Sequence, residues 1–114
     1  MKKNAIIPAP HFVVVNFKQK TRIPIENIIM IEGQNNYSIF HLKYGRKRTY
    51  AHTIRYFEAQ LLTQQFIRVH RGFLVNPSFV ISYDKQENAL HLHNSLVAQI
   101  SRRKLINVPN EFLN

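Results

Sequence analysis

A series of short β-type runs, separated by turn residues, is the feature that most constrains how this chain can fold. Runs rich in β-branched and aromatic residues, including 11–17, 79–83 and 89–93, are typical of strands. Turn residues separate such runs, as in GQNN at 33–36 and DKQEN at 84–88. The turns recur about every 8–12 residues, which favours a sandwich or barrel-like β fold over alternating β/α units. We therefore predict about seven strands in a mostly β protein.

A single segment, 53–65, has apolar residues at helical rather than strand spacing. The residues on the shared face are Ile54, Phe57, Leu61 and Leu62. Thr53 precedes them and is a residue type that commonly caps the N-terminus of a helix. We predict one short helix at 53–63, with Thr53 as its N-cap and its apolar face in the core.

The other segments give less regular patterns. The continuous apolar run at 28–31 predicts a strand that is buried on both faces. The GRKR sequence at 45–48 is interpreted as a short basic turn, and 66–77 as an irregular segment. The basic segment 101–108 predicts one helical turn, with Ser101 as its cap.

The chain has 114 residues, which is the size of one domain. We divide it into a flexible leader at 1–10, one domain at 11–108 and a C-terminal tail at 109–114. No internal repeat is visible in the sequence. No apolar run reaches the roughly 18 residues of a membrane span, so we expect no membrane segment and a cytoplasmic location.

The composition excludes several kinds of catalytic and metal chemistry. Without cysteine, the chain cannot form disulfides, a catalytic thiol or a thiolate zinc site, and Asp84 is its one aspartate. His91 and His93 share one face of a predicted strand, but no third zinc ligand lies near them. His70 has no Ser, Cys or Asp neighbour to activate as a nucleophile. We predict neither an enzyme nor a bound metal or cofactor.

Positive charge is concentrated in this chain, with 16 Lys and Arg against six acids, a net charge of +10 and a pI near 10.3. Such a chain attracts polyanions, of which nucleic acid is the most common in the cytoplasm. The basic residues form three clusters: Lys43, Arg46, Lys47, Arg48 and Arg55; Arg68 and Arg71 around His70; and Arg102, Arg103 and Lys104. The alternative is a merely basic, solvated surface, but the segment 41–55 contains no acid at all, which favours a surface that follows phosphates.

Four residues have the chemistry for reading bases. An arginine can bind guanine O6 and N7 together, and an asparagine can bind adenine N6 and N7. The candidates are Asn35, Asn36, Arg71 and Arg103. An alternative function is a single-strand DNA or RNA-binding module, since Tyr37 and Tyr44 lie near the first basic cluster and could stack on unpaired bases.

The sequence also resembles a known family. The segments that carry the resemblance are IPIENIIMIEGQNNYSIF (23–40), IRYFEAQL (54–61), FIRVHRGFLVNP (66–77) and ISRR (100–103). In this order they resemble the LytTR DNA-binding domain, the output domain of many bacterial response regulators in two-component systems. RVHRGFLVN followed by SRR is the most specific part. The similarity covers 11–106, nearly the whole chain.

The resemblance implies an elongated, mostly β fold of small antiparallel sheets with one short helix. It further implies a sequence-specific transcription regulator of double-stranded DNA, whose loops enter successive major grooves at direct-repeat sites. The base-reading residues implied are Asn35, Asn36, Arg71 and Arg103. Phosphate contacts are expected from Lys43, Arg46, Lys47, Arg48, His70, Arg102 and Lys104.

Regulation and assembly are less determined by the sequence. Only about ten residues precede the first predicted strand, so we expect no receiver domain within these 114 residues. Control would then come from a sensor or regulator protein as a partner, or from the concentration of the protein itself. The apolar residues Val13, Val15 and Phe17 could belong to the core or to an oligomer interface.

Overall fold

The computed structural model describes residues 12–113, so the predicted leader at 1–10 lies outside the described residues. This part of the chain contains ten strands and one α-helix, more strands than the seven expected. The strands are β1 (Phe12–Asn16), β2 (Thr21–Pro24), β3 (Ile28–Gln34), β4 (Tyr37–Leu42), β5 (Lys47–Tyr50), β6 (Ile67–His70), β7 (Phe73–Val75), β8 (Val80–Asp84), β9 (Ala89–Leu92) and β10 (Val97–Gln99). The helix is α1 (Ile54–Leu61).

The strands form three separate antiparallel sheets. Two strands, β1 and β2, form a hairpin; β10, β9 and β8 form a second sheet; and the largest sheet has the order β5-β4-β3-β7-β6. The described residues extend over 47 × 40 × 27 Å. The mostly β class, with small antiparallel sheets and one short helix, is therefore confirmed, although the sheets do not close into a barrel.

The central strand β3 explains the continuous apolar run. Its first four residues are all buried, as predicted for a strand covered on both faces. Ile28 and Ile31 belong to one core cluster, whereas Ile29 and Met30 belong to another. The pairing with β4 shifts between Ile28 and Met30, which breaks the strict alternation of faces.

The two core clusters lie on opposite faces of the five-stranded sheet. On one face, α1 and the β1–β2 hairpin bury Phe57 against Phe40, with their rings edge to face at 4.8 Å. On the other face, the three-stranded sheet and the C-terminal segment cover the strands. Val13 and Val15 are buried in the first cluster rather than at an interface, while Phe17 is 66% exposed.

Helix α1 differs from the prediction at its C-terminal end. Ile54, Phe57 and Leu61 are buried as expected, but Leu62 is 49% exposed, so its assignment to the buried face was wrong. Leu62 begins a 3-10 turn, where the tighter winding takes its side chain off the helical face. Thr53 occupies the N-cap position with an extended backbone, as predicted, although its side chain makes no capping hydrogen bond.

Three other segments also differ from the prediction. The turn after β4 is Lys43–Gly45, and β5 already begins at Lys47, inside the basic turn predicted at 45–48. The irregular segment 66–77 contains β6 and β7, joined by a tight turn. His93 lies in a 3-10 turn after β9 rather than on the strand.

The C-terminal segment packs against the second core cluster. A turn at 102–104 is followed by the 3-10 turn Leu105–Asn107, and Ser101 Oγ accepts a hydrogen bond from the Lys104 N–H at 3.2 Å. This agrees with the predicted capping role of Ser101. Within the predicted tail, Phe112 and Leu113 are half-buried against the second cluster. No helix among residues 12–113 is long and apolar enough to cross a membrane.

Candidate nucleic-acid interface

Two exposed turns lie side by side at one end of the five-stranded sheet. The first joins β3 to β4 and contains Asn35 and Asn36; the second joins β6 to β7 and contains Arg71. The Gly33 N–H donates to the Gly72 carbonyl at 2.9 Å, which extends the pairing of β3 with β7 up to the turns. The sheet therefore presents these two predicted base-reading positions at the same end.

A third turn is attached to the other side of β6. The Ser101 N–H donates to the Val69 carbonyl at 2.9 Å, and the Asn107 side-chain amide donates to the Arg68 carbonyl at 3.2 Å. These bonds fix Arg102 and Arg103 next to the end of β6. The β6–β7 turn thus lies between the β3–β4 turn and the 101–104 turn, and we call the three together the turn surface.

The β3–β4 turn is built by asparagine chemistry. Asn35 has a φ of 54°, a left-handed conformation that asparagine adopts more readily than most residues. Gly33, just before the turn, leaves room for α1, because a Cβ at this position would lie 3.3 Å from Ile54 Cγ2. Both Asn35 and Asn36 are exposed, so their amides are free to meet a partner.

Arg68 holds the β6–β7 turn in place. Its Nε donates to the His70 carbonyl at 2.8 Å, and its Nη2 donates to the Arg71 carbonyl. Its Nη1 forms an ion pair with Glu58 of α1. The Arg68 side chain is only 12% exposed, so it is a positioning residue rather than a contact residue. Sequence analysis missed this role, because only the fold brings Glu58 next to Arg68.

His70 is also fixed by the turn. The Gly72 N–H donates to His70 Nδ1 at 2.9 Å, so the neutral ring carries its proton on Nε2. The side chain is half-buried and packs near the Phe73 ring at 5.4 Å. A protonated Nε2 is a hydrogen-bond donor of the kind that a phosphate oxygen accepts.

The turn surface carries positive charge that described acids do not neutralise. Among residues 12–113, the ion pairs join His41 to Glu32, Arg68 to Glu58, and His91 to Asp84. None of them involves Arg71, Arg102 or Arg103, which are all exposed. Glu32, the acid nearest the β3–β4 turn in sequence, is already bound by His41 at 2.9 Å and by the Gln34 amide at 3.3 Å.

The structure does not bring the first basic cluster to the turn surface. Lys43 and Arg46 lie at the turn that follows β4, whereas Asn35 and Asn36 precede it. A six-residue strand extends roughly 20 Å, which separates the two ends. On the edge strand β5, Lys47 lies opposite His41 and Arg48 opposite Phe40, away from the turn surface. Arg55 is separate from the rest of this cluster, because it lies in the first turn of α1.

The alternatives raised by the sequence find less support. Asp84 lies 3.6 Å from His91, which corrects the expectation that no further ligand type lies near this histidine. No group of three or more metal-ligating side chains occurs in the part of the chain that the structure describes. Tyr37 and Tyr44 lie at opposite ends of β4, so they do not form one stacking platform.

The fold and the turn surface define a class of protein: a mostly β domain of small antiparallel sheets with three exposed turns, bearing basic and asparagine side chains, at one end. With one α-helix in residues 12–113, the described part of the chain contains no helix-turn-helix. The sequence model of the LytTr DNA-binding domain family matches residues 18–111, so the chain belongs to this family of DNA-binding domains.

The structure is similar to a solved domain of this kind. It is the LytTr DNA-binding domain of a Bacillus cereus protein described as a methyl-accepting/DNA response regulator. The TM-score is 0.66 at 19% sequence identity, and the match covers 82% of this chain and 89% of the other. This similarity confirms the fold. A search of the curated proteins found no match.

Proposed function

We propose that this protein is a transcription regulator that binds double-stranded DNA sequence-specifically through the turn surface. Two backbone hydrogen bonds carry the proposal, from Gly33 to Gly72 and from Ser101 to Val69. They hold three exposed, Asn- or Arg-bearing turns at one end of a rigid sheet. Loops on a rigid scaffold are well suited to enter grooves, since their side chains are exposed while their backbone is fixed.

In this proposal all three turns of the turn surface read bases, in successive major grooves. Arg71 and Arg103 bind guanine edges, and Asn35 or Asn36 binds an adenine edge. Arg68 supports Arg71 by fixing the turn backbone from behind. Because the three turns are fixed relative to one another, the spacing of the bases they read is fixed as well.

Phosphate contacts position the domain on the duplex. We assign them to His70, Arg102 and Lys104, which adjoin the base-reading residues on the turn surface. Lys43, Arg46, Lys47 and Arg48 lie away from this surface and enter the proposal as charges that attract DNA from a distance. The proposal includes direct-repeat sites, a cytoplasmic location, a sensor or regulator protein as a partner, and no catalytic activity.

Selection of bound duplexes from a random pool tests this function. The expected product is a sequence present in two copies with the same orientation. Arg71→Ala should then cost about 1–3 kcal/mol on the selected duplex and relax preference at one base pair, because it removes a bidentate contact. Arg46→Ala is the matched control, since it removes the same charge far from the turn surface.

The control should weaken selected and scrambled duplexes alike, and by less than Arg71→Ala weakens the selected one. Fluorescence anisotropy at two salt concentrations measures the binding of each of the two variants to each of the two duplexes. Equal losses on both duplexes for Arg71→Ala would remove this residue from base reading. A pool that yields no common sequence would overturn the proposed specificity.

A further inference from the structure

A concave basic groove lies between β2 and the β4–β5 hairpin, and DNA on the turn surface leaves it unused. Its volume is about 320 Å³. Four of the residues that line it are cationic, and none is an acid. The four cationic residues are Arg22, Lys43, Arg46 and Arg48. We call this the basic groove.

The charges of the basic groove favour an anion inside it. Like charges around one concave site repel one another, and a bound anion removes that repulsion. No ion pair among residues 12–113 involves any of the four. Arg22 is held in place by Phe12, whose ring centroid lies 4.9 Å from the guanidinium carbon. The Lys43 Nζ lies 6.0 Å from the centre of the Phe79 ring, so this side chain is directed toward Phe79. The other three cations are the guanidinium groups of the arginines, and these are the groups available to a ligand.

Tyr44 also borders the basic groove, and its conformation provides a second observation that does not depend on the charges. Its backbone is left-handed, with φ 65° and ψ 28°, a conformation that a bulky residue rarely adopts. Asn94 occupies the corresponding place in a second turn of the same geometry, with φ 64° and ψ 30°. The Tyr44 side chain is 87% exposed, so burial does not compensate for the strain. Since both turns require this backbone conformation, the feature that the fold does not explain is the use of a bulky, exposed tyrosine where asparagine would fit better.

We propose that the basic groove binds a free mononucleotide. Arginine guanidinium groups bind phosphate through two parallel hydrogen bonds, and Arg22, Arg46 and Arg48 supply three such groups. The exposed ring of Tyr44 supplies a face on which the base stacks. The volume lies at the lower end of the range for small-molecule sites, which fits one nucleotide. An acidic peptide would use the cations but would leave the exposed ring without a role.

Calorimetric titration of the whole chain with AMP, GMP, CMP and UMP tests this proposal without DNA. At least one mononucleotide should bind saturably, and ribose 5-phosphate should bind roughly tenfold more weakly, because it lacks the stacking base. Tyr44→Asn should weaken the nucleotide roughly tenfold and leave ribose 5-phosphate unchanged. Arg48→Gln should weaken both ligands, since it removes a phosphate contact.

Two controls separate binding from folding. Tyr44→Asn installs the residue found at the equivalent turn, so its melting temperature should not fall. Lys85→Gln removes one exposed charge outside the basic groove and should leave nucleotide affinity unchanged. The proposal is overturned if no mononucleotide saturates, or if Tyr44→Asn binds it as well as the unaltered chain does. A short single-stranded oligonucleotide that binds far more tightly in a Tyr44-dependent manner would also overturn it, because the occupant would then be a nucleic-acid strand.

Discussion

Two parts of this molecule have the same backbone plan and different side chains. The strands β3–β4–β5 form one antiparallel meander and β8–β9–β10 form another. Each follows a 3-10 turn, Ile25–Asn27 in the first and Pro77–Phe79 in the second. Each contains a second 3-10 turn, Lys43–Gly45 or His93–Ser95, which connects its last two strands.

The agreement extends to finer details. A register shift follows the first residue of each meander, between Ile28 and Met30 and between Val80 and Ser82. In each connecting turn a leucine N–H donates at 2.8 Å to the carbonyl four residues later. The two connecting turns also contact each other. The backbone plan is therefore repeated within the domain, although the sequence shows no visible repeat.

The difference between the meanders lies at their first turns. The β3–β4 turn is two exposed asparagines, whereas the β8–β9 turn is tied down through Asn88. The Asn88 amide donates to the Ile100 carbonyl at 2.9 Å, and its Oδ1 accepts from the Tyr83 hydroxyl at 2.9 Å. The same backbone plan thus has an exposed β3–β4 turn in the first meander and a β8–β9 turn in the second that Asn88 binds to the rest of the domain.

Charge separates the two meanders in the same way. Residues 28–50 contain four Lys and Arg and one acid, whereas residues 80–99 contain one lysine and two acids. Because the backbones match, this difference comes from the side chains and not from the fold. Under the proposed function, the first meander would carry the contacts with ligands, while the hydrogen bonds of Asn88 give the second a role in stabilising the domain.

The largest expected effect concerns the two leucines before the connecting turns. Leu92→Ala should cost about 2–5 kcal/mol of unfolding free energy, because Leu92 is 1% exposed within the second core cluster. Leu42→Ala should cost less, about 2 kcal/mol, since Leu42 is 8% exposed and borders the basic groove. Urea denaturation monitored by circular dichroism measures both. A larger loss for Leu42→Ala would contradict the structural role assigned to the second meander.

The two asparagine-bearing turns should respond differently to substitution. Asn88→Ala should cost about 1–3 kcal/mol of stability, because it leaves the carbonyl of the buried Ile100 without its side-chain partner. Asn36→Ala should change stability by less than about 0.5 kcal/mol, since Asn36 is exposed, and should instead weaken binding to the selected duplex. Thermal unfolding and anisotropy on the same samples separate the two. Equal losses of stability would show that the first turn is also an anchor.

Part of this picture follows from the sequence. The β-branched runs predict most strands, GQNN predicts the β3–β4 turn, and the run at 28–31 predicts a strand buried on both faces. The opposite placement of Asn36 and Arg46 was also predictable, because successive turns of a meander lie at opposite ends of the strand between them. Grouping the basic residues by their distance along the chain hid this opposite placement.

Other features could not be predicted locally. The bonds from Gly33 to Gly72 and from Ser101 to Val69 join segments that are distant in the chain, and the identity of neither partner signals the pairing. The repeated backbone plan is hidden because it depends on turn conformations and register shifts, which different residues can satisfy. Tyr44 and Asn94 illustrate this, since they share one conformation and little chemistry.

Exchanging these two residues gives a small expected effect and the most direct test of the comparison. Tyr44→Asn should stabilise the protein by about 1 kcal/mol, and Asn94→Tyr should destabilise it by a similar amount, because asparagine tolerates the left-handed conformation better than tyrosine. Because the two turns contact each other, the double variant reports whether the sites are coupled. If the changes in unfolding free energy of the two single variants add up to that of the double variant, the two turns are independent copies of one turn. Destabilisation by both single substitutions would show instead that the turns are not equivalent, and that Tyr44 is required by the fold.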